Sequence, residues 1–176
     1  DRKELSEEFF TILFFVTGLA IVLSLLMALL SDPIASQLFG DPSLASAVAL
    51  ASLLIPLTAI NALTTSYFRA VGKIRAFTAL LVLTSFSQLS LILAFSGFGI
   101  IGVVGGTVLA YTLVCTAAVT LIVRQVGPSR PNFAIIRSRL RFSLPLTPNA
   151  IINWVTSSSD RYLVAGILGL GAAGIY

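Results

Sequence analysis

Asn149, Asn153, Thr156 or Ser157, and Asp160 recur every three or four residues along LPLTPNAIINWVTSSSDRYLVAG, residues 144–166. On a helix that spacing gathers them into one polar stripe about three turns long. Amides, hydroxyls and a carboxylate together can hydrogen-bond a hydroxyl-rich ligand such as a sugar. Trp154 adds a flat apolar surface for a sugar's apolar face. Arg161 follows Asp160 directly, and a guanidinium makes forked bonds to phosphate or carboxylate. Asn149, Asn153, Trp154, Ser157, Asp160 and Arg161 are therefore the candidate residues of a ligand path. Adjacent helix positions point about 100° apart, so Asp160 and Arg161 do not form an isolated pair and each needs its own partner. A purely architectural reading also stands. The stripe then hydrogen-bonds neighbouring helices, and the charged pair locks one end of the structure.

Which reading applies depends on the solvent around this segment, and the composition settles that. The 176 residues are 57% hydrophobic and 10% charged, with a mean hydropathy of +1.01. Soluble domains carry about 25% charged residues, so such a chain cannot cover a water-facing surface. Histidine is absent and Cys115 is the single cysteine, which rules out an internal disulfide and predicts no metal site and no cofactor. The pI near 9.7 does not predict nucleic-acid binding, because the basic residues lie scattered between long apolar runs. The expected class is an all-α, polytopic transmembrane helix bundle.

Four charge-free runs, 9–30, 45–68, 77–95 and 100–123, are each about 28 to 36 Å long as helices, against a hydrocarbon core of about 30 Å. A fifth, more polar run starts at Leu144. The first run is no signal peptide: its apolar part is too long and the preceding DRKELSEE is mixed in charge. At ~1.5 Å per residue, Asp160 stands about 24 Å beyond Leu144, close to the far interface of the membrane. A buried charge costs less there than at mid-bilayer, and arginine can snorkel.

Every basic residue but Arg161 lies before the first run, in 69–76 or in 124–143, and the alternate loops 31–44 and 96–99 contain none. By the positive-inside rule the N-terminus, loop 69–76 and loop 124–143 face the cytoplasm of a cell-membrane protein. Gly127, Pro128 and Pro131 should end the fourth helix. Beyond them Phe133, Ile136 and Leu140 share one face and Arg137 and Arg141 another, which fits either a basic helix on an anionic leaflet or a solvated connector. The predicted layout is a first lobe over 1–123, a basic linker over 124–143, and the first helix of a second lobe from 144. The chain opens at Asp1 without a methionine and ends in GLGAAGIY, where an apolar pattern restarts, so it is expected to be an internal piece of a larger membrane protein.

Three blocks carry a family resemblance: Ser143-Leu144-Pro145, Asp160-Arg161-Tyr162 and Gly174-Ile175-Tyr176. With YFRAVGKIRAFT, residues 67–78, they resemble the polysaccharide exporters, the O-antigen and teichoic-acid-type flippases of the multidrug/oligosaccharidyl-lipid/polysaccharide exporter superfamily. On that likeness the chain corresponds to helices three to seven and the first residues of eight. The resemblance implies two six-helix lobes around a central cavity. It also implies transport of a lipid-linked oligosaccharide from the cytoplasmic to the outer leaflet by alternating access, with no covalent chemistry and so no catalytic residues. The partners it implies are that lipid-linked substrate, membrane lipids and other glycan-assembly membrane proteins, with no nucleic acid.

Other classes make different demands. A multidrug/cation antiporter of the same superfamily should place a carboxylate deep in the first lobe, but the runs from 9 to 123 hold no Asp or Glu. A membrane glycosyltransferase needs paired acids, and Asp160 has no second carboxylate near it in sequence. A structural membrane subunit would not need so polar a fifth helix. Among lesser signals, Gly102, Gly105 and Gly106 predict close helix packing, and Cys115 an inert core position. Gln88, with Thr84 and Ser85, suits an interhelical hydrogen bond or a weak binding role. Asn61, after Pro56, suits cavity lining or helix packing.

Overall fold

The computed structural model describes residues 2–127, 129, 131–134, 136, 141, 143, 148, 152–153, 155–156 and 159. The chain forms two compact units, Asp1–Asn132 and Phe133–Tyr176. The fold is all-α: among the described residues every regular element is helical. The first unit contains α1 (Arg2–Leu29), α2 (Ser31–Leu38), α3 (Ala45–Ser52), α4 (Leu54–Ala70), α5 (Ile74–Phe95) and α6 (Gly99–Val126), with single 3-10 turns at Pro42–Leu44 and Ser96–Phe98.

Three stretches are long and apolar enough to cross a membrane, Ser6–Leu29, Pro42–Ala70 and Ile74–Val126. The last is 53 residues long and is two helices folded on each other. A Cβ on Gly102 would strike the Phe95 carbonyl, one on Gly106 would lie 2.8 Å from Leu91 O, and Lys73 Nζ donates to Gln125 Oε1. Rising numbers in α6 thus meet falling numbers in α5 along the whole length, as in an antiparallel hairpin. The glycines permit it, since any side chain at 102 or 106 would wedge the backbones apart.

The same logic orients the other helices. Ser24 Oγ donates to Ser52 Oγ at 3.4 Å and the Phe9 ring packs on Tyr67 at 5.0 Å, so α1 runs antiparallel to α3 and α4. Leu50 lies beside Gly105, and Cys115 Sγ donates to Leu57 O at 3.2 Å, so α3 and α4 run parallel to α6. The result is an up-down-up-down bundle in which the start of α1 and residues 69, 73, 75 and 124 share one end.

The second apolar run is interrupted at Leu53, three residues before Pro56. Proline at 56 has no N–H for the Ser52 carbonyl and its ring crowds that turn, so α3 stops at Ser52 and α4 restarts at Leu54. The loop predicted over 31–44 contains α2 and a 3-10 turn, in which Asp41 Oδ1 accepts from Ser43 N at 2.9 Å. α6 ends at Val126, and Gly127 leaves it with φ +81°.

Phe9, Phe10, Phe68, Leu80, Val114, Ala118 and Ile122 form a buried cluster that reaches from the end carrying the cations to the middle of α6 at Val114. That end is tied further by Ser6 Oγ donating to Gly127 O at 3.0 Å and Asn132 N donating to Thr11 Oγ1 at 2.8 Å. In the second unit, the described residues Arg141, Ser143, Pro148, Ile152, Asn153, Val155, Thr156 and Ser159 are helical.

Candidate functional site

Of the main residues predicted to line a ligand path, Asn153 is described; Asn149, Trp154, Ser157, Asp160 and Arg161 lie outside the described residues. Asn153 is helical and exposed, and so is Thr156 one turn on, which gives the two positions of the polar stripe that can be placed. The Thr156 hydroxyl donates to Ile152 O at 2.9 Å, and Ser159 Oγ donates to Val155 O. These bonds turn the hydroxyl protons onto the helix itself and leave Asn153 with the amide exposed.

In the first unit Asn61 and Gln88 are both half-buried. The backbone carbonyl of Asn61 accepts from Thr64 Oγ1 at 3.0 Å and Thr65 Oγ1 at 2.7 Å, but its side-chain Oδ1 is buried without a partner. Thr17 Oγ1 is buried and unpartnered as well. The pairings Phe9–Tyr67 and Ser24–Ser52 put Thr17 and Asn61 within about one turn of the same depth. A buried amide oxygen with nothing to accept costs about 1 to 3 kcal/mol, so the two atoms mark a place where a polar group or water would be stabilised.

Thr17 was not a sequence candidate. A threonine inside an apolar helix ordinarily turns its hydroxyl to the carbonyl four residues back, as Thr58, Thr84, Thr112, Thr116 and Thr120 do here. Nothing in the sequence separates Thr17 from these. Gln88 makes no hydrogen bond among the described residues, and Thr84 donates to Leu80 O at 2.7 Å.

Outside the apolar stretches, hydrogen bonds from the Ser43 hydroxyl and N–H hold the Asp41 carboxyl below the usual carboxylate range. It caps a turn and faces water, so it is ionised at neutral pH and serves local structure.

A family model for polysaccharide biosynthesis proteins matches residues 1–176, the whole chain. The chain belongs to that family. No curated protein and no solved structure matches it. The polysaccharide biosynthesis protein is thus a membrane protein, built from apolar helices that carry unpaired polar atoms inside the bundle at Thr17 and Asn61. Its exposed cations Arg69, Lys73, Arg75 and Arg124 stand at one end of the first unit.

Proposed function

We propose that this polysaccharide biosynthesis protein is a multi-pass flippase of the cell membrane, moving lipid-linked oligosaccharide or polysaccharide precursors from the cytoplasmic to the outer leaflet by alternating access. The observation that carries the reading is the whole-chain family match on a bundle of apolar helices. A glycan head group must cross hydrocarbon, where unpaired polar groups cost several kcal/mol, so the transporter's task is to supply a polar path. The apolar runs of the first unit contain no Asp or Glu, which favours translocation over bond-making.

In this reading the end with Arg69, Lys73, Arg75 and Arg124 faces the cytoplasm. Asn149, Asn153, Trp154 and Ser157 line the path, with Asn61 as a first-lobe contributor and Gln88 a weaker one. Arg161 engages a pyrophosphate or acidic sugar, and Asp160 has a separate partner. Substrate, membrane lipids and other glycan-assembly membrane proteins are its partners, and it performs no covalent step.

The test uses cells whose own exporter has been deleted. The full-length protein should restore surface glycan, and Arg161→Ala should lower it at unchanged membrane abundance while lipid-linked glycan accumulates inside. Arg161→Lys should recover only part, because an ammonium lacks the forked donors. Failure of the full-length protein to restore surface glycan contradicts the transport reading. Full export by Arg161→Ala removes the arginine from the path.

A further inference from the structure

A groove of about 640 Å³ runs along the exposed face of α5, lined by Ile74, Thr78, Val82, Leu83 and Phe86, with Arg75 at its mouth. A second hollow around Gly72, Lys73 and Arg75 adjoins it. The lining positions repeat every three or four residues, so they form one stripe down the helix. From Ile74 to Phe86 the stripe is about 18 Å long, close to the ~15 Å depth of one leaflet's acyl chains.

The mouth of the groove is built for an anion. Lys73 and Arg75 are exposed, and Arg75 has no hydrogen-bond or ion-pair partner among the described residues. Lys73 Nζ donates one bond to Gln125 Oε1, which fixes the ammonium against the end of α6 and leaves its other protons open. Thr78 lies on the same face one turn below Arg75. Its hydroxyl makes no hydrogen bond among the described residues, unlike Thr84 on the same helix. The first turn of α5 has no side-chain cap and adds the positive end of its dipole. Below these groups the lining is apolar, with the small Ala79 between Ile74 and the bulkier Val82, Leu83 and Phe86.

We infer that this face of α5 binds an anionic glycerophospholipid, its phosphate held by Lys73, Arg75 and the Thr78 hydroxyl and one acyl chain lying along Ile74, Val82 and Phe86. Charge complementarity at Lys73 and Arg75 favours an anionic lipid over a neutral one, and the length of the stripe matches one leaflet. The inference does not depend on the ligand path proposed above.

Native mass spectrometry of the full-length protein in neutral detergent tests this. Phosphatidylglycerol and phosphatidylcholine with identical acyl chains are titrated in parallel, with inorganic phosphate and a polyprenyl phosphate as competitors. Phosphatidylglycerol should be retained in preference to phosphatidylcholine. Each cation removed should weaken it about fivefold, so K73Q/R75Q loses roughly 30-fold. Ala79→Trp should fill the groove and release the lipid with both cations in place. If K73Q/R75Q does not fold, Arg75→Gln and Thr78→Val are read singly, and each should show a several-fold loss.

Equal retention of the two lipids overturns the site, as does wild-type binding by K73Q/R75Q or by Ala79→Trp. Full competition by inorganic phosphate removes the groove from the account. Tighter binding of polyprenyl phosphate through the same residues assigns the face to transport substrate and refutes a glycerophospholipid site.

Discussion

At the end of the first unit that carries Arg69, Lys73, Arg75 and Arg124, the helices close over large side chains. Phe68 and Ile122 are fully buried there, and Phe9, Phe10 and Leu80 complete the cluster. At the opposite end they close over small ones: Gly102 and Gly106 admit the α5 backbone, Ala35 and Ala47 are buried, and Ser24 bonds Ser52. Leu38 and Phe98 at that end point outward at 76% and 74% exposure. Apolar side chains gain little by leaving lipid for protein, so contact between helices in hydrocarbon rests on close approach of backbones and on hydrogen bonds. Where water and head groups reach the bundle, burying a phenylalanine regains its usual worth. The bundle uses one device at each end.

The largest expected effect breaks the small-residue end. Gly106→Leu must push side-chain carbon into the Leu91 carbonyl, and α6 cannot yield without opening the hairpin. A loss of about 3 kcal/mol or more is expected, read as collapse of the monodisperse folded fraction after detergent extraction. Gly18→Leu is the matched control, since nothing lies within 4 Å of a Cβ there. Equal tolerance of both substitutions would contradict the packing described for α5 and α6.

Phe68→Ala probes the other end. Its ring is fully buried against Tyr67 and the core cluster, so about 3 kcal/mol should be lost, seen as a lower unfolding midpoint in mild detergent. A cost much below about 1 kcal/mol would mean that this end too is held by backbone contact rather than by large side chains.

The smallest effect concerns the ties that bring residues 127–132 back onto α1. Thr11→Val removes the acceptor of the Asn132 N–H while keeping the shape. About 1 kcal/mol should be lost locally, which speeds hydrogen exchange at the Asn132 amide about fivefold. Unchanged exchange would show that this tie contributes nothing.

The helices of the first unit were legible because a charge-free run longer than about 20 residues has few other solutions. The glycine pair was legible for the same reason, since in α6 nothing but close approach explains it. Pro56 marks a disturbance in the run 45–68, but sequence does not say whether a helix bends at proline or restarts beyond it. Over 31–44 the sequence reads as a loop and carries no sign of α2: SDPIASQL has neither the length nor the periodicity of a span, and the helix buries Ser31 and Ala35.

The candidate site was less legible. Asn153 and Asn61 could be named by residue type, but the unpaired state of Thr17 and of the Asn61 amide oxygen depends on what stands opposite them. Spacing along one chain does not carry that information. In the sequence Arg75 falls in the basic loop 69–76 and Thr78 in the span 77–95; their shared face with Val82 and Phe86 follows from α5 beginning at Ile74.

One end with cations and one without is the claim on which the direction of transport and the place of the lipid groove both rest. Single cysteines at Ser43 and Ala70, both exposed and at opposite ends of the first unit, test it in intact cells after Cys115→Ala. A membrane-impermeant thiol reagent should label position 43 from outside, and position 70 only once the membrane is permeabilised. Labelling of position 70 but not 43 in intact cells would contradict the orientation, and labelling of both would contradict a bundle that spans the membrane.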